Sequence, residues 1–430
     1  MGAPSETNTG TNVAAVGANL GAGTDAVQGA GTDAGADQGA CTGPNAAQGA
    51  DISPDVGQGA GPRVSFIVPC YNAANTLDVA LASLCCQTLE SIEIIAIDDA
   101  STDCSAKILN YWAASDARIH VLTQAKNAGY GAAMNRGLEA ARGQWIGILE
   151  PDDYALPSMA QSLVEAAQTF EANNPGVSID MVKAPYVRVI HEGQSELLAQ
   201  CAFRFRVQPV GQAFSFAGDT SQADQLLRNH PSIWSALYRR SFLDAAKVRF
   251  PEHPGSGWAD NEFFYATLLQ AKAILYVDEP IYCYNESTAA QEAEALQKQP
   301  TLALQRFLDL DNLVRQYDMR NKDVLAAHVH RAFSYVQSTL DAGVGKMAKV
   351  QALQKEVFAR LDPAIVIAEA SIPPQLKSAY AQQRGIKIDR TQSKLAFAQY
   401  ARDEAAYMLK SNGPRFLLSR FAKALSRKPQ

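Results

Sequence analysis

Val64-Ser65-Phe66-Ile67-Val68-Pro69-Cys70-Tyr71-Asn72 begins with a short apolar run rich in β-branched residues and ends in a turn signal. Such a run reads as a buried strand, and Pro69 with Asn72 as the turn that closes it. Asn75 is the expected N-cap of a following helix whose apolar face is Leu77, Leu81, Leu84 and Cys85. The same grammar recurs downstream. Ile92–Ile97 is a second strand ending at Asp98-Asp99, and a helix is expected from about Asp103 to Ala114. Arg118–Leu122 is a third strand, followed by a helix near Gly131–Ala141, and Gln144–Leu149 is a fourth, ending in Glu150-Pro151-Asp152-Asp153. Strands alternating with helices of roughly 10–15 residues indicate right-handed βαβ units, hence an α/β, Rossmann-like and mostly parallel sheet. Ligands of such sheets sit beyond the carboxyl ends of the strands, where this chain gathers its acids.

Upstream of this pattern, residues 1–61 contain one Leu, no aromatic residue and a Gln-Gly-Ala triplet repeating every ten residues from Gln28 to Ala60. A stacked repeat needs apolar side chains, so this segment is expected to be a disordered tail. It holds six acids and no Lys or Arg, so removing it from the chain's net charge of −6 leaves a neutral body. A neutral body offers nothing to the phosphates of a nucleic acid. Seven cysteines without a CxxC spacing, several within apolar runs, are expected to be reduced and mostly buried thiols. No secretory leader and no apolar run near the ~18 residues of a membrane span is visible. The expected location is cytoplasmic.

Downstream, the alternation loosens between Leu156 and Asn285, with extended segments at Ile179–His191, Leu197–Pro209 and Trp234–Tyr238 and a helix after Trp258. Beyond Asn285 the apolar spacing is helical, as in Leu304, Phe307, Leu308, Leu310, Val314 and Tyr317. His328 and His330, two apart on such a helix, diverge and make no metal pair. The expected organisation is a tail (1–61), an α/β catalytic domain (62–285) and a helical region (286–430). Its last helix, from Pro414, sets Phe416, Leu417, Leu418, Phe421 and Leu425 against Arg415, Arg420, Lys423, Arg427 and Lys428. A basic amphipathic segment of this kind reads as a peripheral membrane contact through 414–428, on the inner face, or as a helix packed on the body.

Four clusters at strand ends carry chemistry. Tyr71 offers a ring for stacking, and Asn72 orients its turn. Ser101 or Asp103 can cap the following helix, so the adjacent carboxylates Asp98 and Asp99 are surplus, and a carboxylate there can accept from a ligand N–H or hydroxyl. Asn127-Ala128-Gly129-Tyr130-Gly131 permits close approach of backbone to a ligand at a helix N-terminus. Glu150, Asp152 and Asp153 form a hard oxygen site suited to Mg²⁺ or Mn²⁺ bridging a diphosphate.

VSFIVPCYN (64–72), IIAIDDASTD (94–103), NAGYGAAMN (127–135) and WIGILEPDD (145–153) together resemble the family 2 glycosyltransferases, inverting enzymes of the GT-A fold. The resemblance implies a GT-A catalytic domain, a nucleotide-sugar donor (a UDP-sugar above all), a saccharide or lipid-linked acceptor, and a role in cell-surface polysaccharide assembly. By position it implies Pro69, Tyr71, Asn72, Asp99, Gly129 and Glu150 as donor-binding residues, with Asp99 toward uracil. Glu150 and Asp152 occupy the ends of the DxD motif, with Glu in place of the usual first Asp, and the metal falls to Asp152 with Asp153. Inversion needs a base for the acceptor hydroxyl. Gly257-Trp258-Ala259-Asp260-Asn261-Glu262 resembles the family's later acidic motif and makes Asp260 the base, with Glu262 in reserve. His230–Trp234 resembles the segment flanking the acceptor.

Two other classes fit the same residues: a nucleotidyltransferase that makes the sugar nucleotide, and a non-catalytic module that only binds it. The first would normally carry a Gly-rich, basic loop after the first strand, which Pro69-Cys70-Tyr71-Asn72 lacks.

Overall fold

β1 (Val64–Cys70) and β2 (Ile92–Asp98) are buried along their whole length, as expected of strands covered on both faces. The computed structural model describes residues 61–430 except 193–194, 218–223, 254–257, 287–288 and 427–430. The expected tail and the final basic residues therefore lie outside the described residues. With β3 (Ile119–Thr123) and β4 (Trp145–Ile148), the first two strands form a parallel half-sheet of order β3-β2-β1-β4. Its connections are α1 (Leu77–Cys85), α2 (Ser105–Ser115) and α3 (Tyr130–Ala140). The chain runs outward from β1 to β3, then returns to place β4 on the other side of β1. That reversal opens a crevice at the carboxyl ends of β1 and β4.

The expected cap at Asn75 is displaced by one residue. Thr76 is the N-cap of α1 and makes no side-chain capping bond. The turn is held instead by Asp103, whose carboxylate accepts from Ala74 N and Ser105 N (3.1 and 2.9 Å).

Beyond β4 the sheet is mixed rather than parallel. β10 (Ala236–Arg239) runs antiparallel to β4 and to β6 (Met181–Lys183), β11 (Ile274–Tyr276) is parallel to β6, and β9 (Ala213–Phe214) closes the edge antiparallel. The remaining extended segments make a second sheet, β5-β12-β7-β8, from Tyr154–Ala155, Tyr282–Asn285, Val187–Glu192 and Ser195–Gln200. α4 (Met159–Asn173) packs beneath β6 and β10, and α6 (Arg240–Ala245) follows β10 directly.

The helical region does not stand apart. The described residues from 61 onward belong to one compact unit, which includes both sides of residue 285. α9 (Leu302–Gln316) packs on α7 (Asp260–Gln270), and α10 (Lys322–Asp341) packs on α5 (Gln225–Arg228). α8 (Ala289–Lys298), α11 (Ala348–Arg360), α12 (Pro363–Ala368) and α13 (Pro374–Arg384) complete this layer, and α14 (Arg390–Ser426) breaks at Gly413 (φ 76°, ψ 175°) before Pro414. Around that break α14 returns to the small sheet. Asn412 Oδ1 accepts from Gln200 N at 2.6 Å, Arg206 pairs with Glu404 at 2.7 Å, and Phe416 is buried against Ile190 and Ala199. One apolar residue of the basic segment is thus spent on packing, whereas Leu418 is 67% exposed. Among the described residues no helix is long and apolar enough to cross a membrane. Cys70, Cys201 and Cys283 are buried free thiols, and Cys86 is an exposed one.

Candidate active site

A cleft of about 460 Å³ lies at the carboxyl ends of β1 and β4. Pro69, Tyr71, Asn72, Asp99, Gly129, Glu150 and Asp152 line it, seven of the nine residues selected from sequence. Three separate βα turns are brought together there by the strand order alone.

One wall is knitted from the first two turns. Asn72 adopts a left-handed backbone (φ 53°), which Asn tolerates better than most residues. Its Oδ1 accepts from Thr102 N at 2.8 Å, and its own N–H donates to Ser101 Oγ at 3.1 Å. Asp98 and Asp99 are both buried, and protein donors compensate both. Asp98 Oδ1 accepts from Ser101 N (3.0 Å). Asp99 takes Gln124 Nε2 (2.7 Å) and Ala128 N (2.8 Å) on Oδ1, and Gly129 N (2.9 Å) on Oδ2. A carboxylate has about four acceptor positions, so one remains toward the cleft. The surplus charge inferred from sequence is therefore largely absorbed by the glycine loop. Gly129 (φ 92°) supplies the bend that aims these amides at Asp99. Gly131 lets α3 abut the segment after Phe250, since a Cβ there would stand 2.0 Å from the Pro251 carbonyl oxygen. Tyr71 is 49% exposed and lines the cleft, so it offers a stacking surface.

The acidic end behaves less uniformly than its sequence suggests. Glu150 Oε1 accepts from Tyr130 OH at 2.6 Å, and burial, reinforced by Asp152 and Asp260, pushes its carboxyl up to about 8. Asp152 is exposed on the cleft wall, and Asn285 Nδ2 donates to its backbone oxygen. Asp153 departs from the expected pairing at the metal. It is 2% exposed and absent from the cleft lining, and its carboxylate accepts from Tyr282 OH (3.0 Å) and Asn285 N (2.8 Å). Its oxygens tie the β4–β5 turn to β12. Glu150 and Asp152 are left as the carboxylates that face the cleft. One or two carboxylates with room for diphosphate oxygens is the donor set Mg²⁺ or Mn²⁺ takes, so the residues present fit such an ion.

Asp260 begins α7 and is half-buried. It lies close enough to Glu150 and Tyr130 to push both of their pKa values up. Burial raises Asp260 itself to about 6, opposed by backbone N–H groups at the start of α7 and by the Arg331 cation. Glu262 turns away toward α9. His253 Nε2 lies 3.0 Å from its Oε1, and Arg306 Nη1 is 4.0 Å away and 2.9 Å from Asp309. His253, Glu262 and Asp309 bring three ligand atoms within 4.8 Å of one another, but the arginine among them makes this a charge-compensated network. The segment His230–Trp234 is fixed by buried Lys183, whose Nζ donates to Ser232 O (2.6 Å) and Ser232 Oγ (2.8 Å).

Tyr130 and Asn261 lie inside motifs quoted above without a role of their own, and Arg331 and Tyr335 lie outside every motif. The signal for Arg331 was present. Val324, Ala327, Arg331 and Tyr335 follow at steps of three and four, a charge set into a buried stripe.

Residues 65–244 match the family model described as glycosyl transferase family 2. The chain is 32% identical over 231 residues to the uncharacterized glycosyltransferase EpsJ of Bacillus subtilis, covering 53% of this chain and 62% of that one. It is 33% identical over 195 residues to the succinoglycan biosynthesis protein ExoO of Rhizobium meliloti, covering 44% and 51%. The chain thus spans less than two thirds of the length of both. Among solved structures it resembles S. aureus TarS 1–349 in complex with UDP-GlcNAc, with a TM-score of 0.54 and 16% identity over 79% of this chain and 92% of that one. That likeness establishes the GT-A fold.

Proposed function

We propose that this chain, whose residues 65–244 match the glycosyl transferase family 2 model, transfers a sugar, with inversion, from a UDP-sugar to a hydroxyl of a saccharide or lipid-linked acceptor. The setting that fits is cell-surface polysaccharide assembly on the cytoplasmic side of the membrane, the biosynthetic role named for ExoO being of this kind. TarS, of the same fold, was crystallised with UDP-GlcNAc. The observation that carries the reading is convergence: a stacking ring, a buried carboxylate set by a glycine loop and a pair of cleft-facing acids share one cavity, with Asp260 beside its acidic end.

Each part then has a task. Tyr71 receives the flat base, and the remaining acceptor position of Asp99 faces its N–H. Gly129 brings backbone close to the ribose and phosphates. Asp152, with Glu150 behind it, would hold Mn²⁺ or Mg²⁺, which supplies compensation for the charge gathering on the leaving diphosphate. Asp260, ionised above about pH 6, takes the proton of the acceptor hydroxyl as that oxygen bonds to the anomeric carbon opposite the diphosphate.

The test is a panel of UDP-, GDP- and dTDP-sugars with saccharide and lipid-linked acceptors and Mn²⁺. Free nucleoside diphosphate should appear with a glycosylated product. Pyrophosphate would identify a nucleotidyltransferase instead, and donor binding without turnover a binding module. The five basic residues in the sequence 414–428 support peripheral contact with an anionic membrane, each such residue contributing about 1 kcal/mol near the surface. Full-length protein should co-sediment with anionic vesicles at low salt and release as the Debye length shortens. Equal sedimentation of protein ending at residue 413 would remove that contact.

A further inference from the structure

Arg331, beyond the residues matched to the family, is 6% exposed on α10. Its guanidinium donates from Nε to Tyr265 OH (3.1 Å), from Nη1 to Asn261 Oδ1 (3.1 Å), and from Nη2 to the carbonyls of Leu227 and Asn229 (both 2.6 Å). All four acceptors are neutral. Burying a cation is costly, and bonds to neutral oxygens leave its field free to act on a charge further off. The carboxylate within reach of that field is Asp260, whose pKa the guanidinium lowers.

The hydrogen bonds point the same way. Tyr335 OH donates to Asn261 Oδ1 at 2.8 Å, beside the Arg331 bond to the same oxygen. Two donors on Oδ1 settle which way the amide faces, and its Nδ2 lies 3.2 Å from Asp260 Oδ1. Trp258, two residues before Asp260, stacks on the Tyr335 ring with centroids 5.2 Å apart and planes 9° from parallel. On its other side, Arg331 grips the backbone immediately before His230–Trp234. One side chain of the helical region thus ties the Asp260 motif to the acceptor-side segment.

We propose that Arg331, acting with Tyr335 through Asn261, is a positioning residue for Asp260 that holds its carboxylate in register with the acceptor-side segment. The inference rests on reading Asp260 as the base. The titratable and charged groups facing Asp260 are Glu150 and Tyr130 from the cleft, Tyr238 from β10, and Arg331 and Tyr335 from α10. Arg331 is the cation of that set. Its removal leaves Asp260 to burial and to neighbouring acid, so the base is protonated at higher pH.

The experiment compares full-length Arg331→Gln, Arg331→Lys and Tyr335→Phe with the wild type, measuring kcat against pH, donor affinity and Tm. Arg331→Gln should move the acid limb of kcat up by about one unit, the lower end of the range for one opposite charge at close range. That corresponds to about a tenfold loss of rate on the limb. Donor affinity should be unchanged, and Arg331→Lys should recover part of the rate. Tyr335→Phe keeps the stack on Trp258 and should give a smaller shift of the same sign, which preserves the test if Arg331→Gln fails to fold. An unmoved limb in folded variants, or a loss of donor affinity in step with Tm, overturns the positioning role. Asp260→Asn run alongside separates the two readings. An inactive Asp260→Asn with an unmoved Arg331→Gln limb removes the relay alone, and an active Asp260→Asn removes both.

Discussion

Asp260→Asn is expected to lower the transfer rate by about 10²–10⁴-fold, the range general-base assistance supplies, while leaving donor affinity close to wild type. The substitution keeps the size of the side chain and a hydrogen-bonding oxygen at the start of α7, so the helix and the Asn261 contact can persist. Only the capacity to accept a proton is lost. The defect should therefore fall on kcat rather than on donor binding, the pattern of an interaction made only in the transition state. In the wild type the same group is expected to set the acid side of the pH profile. Its pKa is raised by burial to about 6, so kcat should fall as pH drops through that value and the carboxylate takes up a proton. Glu262→Gln is the control. Glu262 faces His253 and Arg306 rather than the cleft, and its loss should be far milder. Retention of more than about a tenth of wild-type turnover by Asp260→Asn, well above that range, would place the base elsewhere.

Asp152→Ala is expected to cost ~10–100-fold or more in Mn²⁺-dependent UDP affinity, since even outer-shell changes at metal sites reach that range. Asp152 is the exposed carboxylate of the cleft, whereas Asp153 is committed to Tyr282 and Asn285. Without a cation, Asp152 and any ionised Glu150 would repel the diphosphate. Saturating UDP with Mn²⁺ should stabilise the wild type by about 2.7 kcal/mol at a hundredfold excess over Kd and so raise its Tm, and EDTA should cancel the rise. The variant should show little of it in either condition. Calorimetry returning equal affinities for the variant and wild type would sink the metal assignment. Asp153→Asn should instead lower Tm, because it alters a buried tie between β4 and β12.

The half of the molecule that sequence made legible is the half built from local signals. β1 to β4 are apolar runs ended by turn residues, and the parallel order follows from their alternation with helices. The second half-sheet is legible only in part, β6 and β10 falling in the expected extended segments Ile179–His191 and Trp234–Tyr238 and β9 and β11 in none, for a physical reason. β6, β9, β10 and β11 are two to four residues long, too short for a period to register, and their direction is set by pairing across long sequence separations. The cleft residues were legible because each sits in a turn whose chemistry is local. Asp153 was not, because its role depends on Tyr282 and Asn285, more than a hundred residues away. The same holds for Asn261, whose amide is oriented by two residues of α10.

The motif that supplies Asp260 and the helix that braces it both lie outside residues 65–244, and this bears on inheritance. The residues proposed to bind the donor fall in one contiguous block before Asp153. The proposed base, its proposed brace and the backbone before His230 fall in a later block that spans the border between sheet and helices. Recombination that exchanged the helical layer alone would part Asn261 from Arg331 and Tyr335. On this reading α7 and α10 must be exchanged together, and lineages free to vary the acceptor would do so by replacing both while the nucleotide half passed down unaltered.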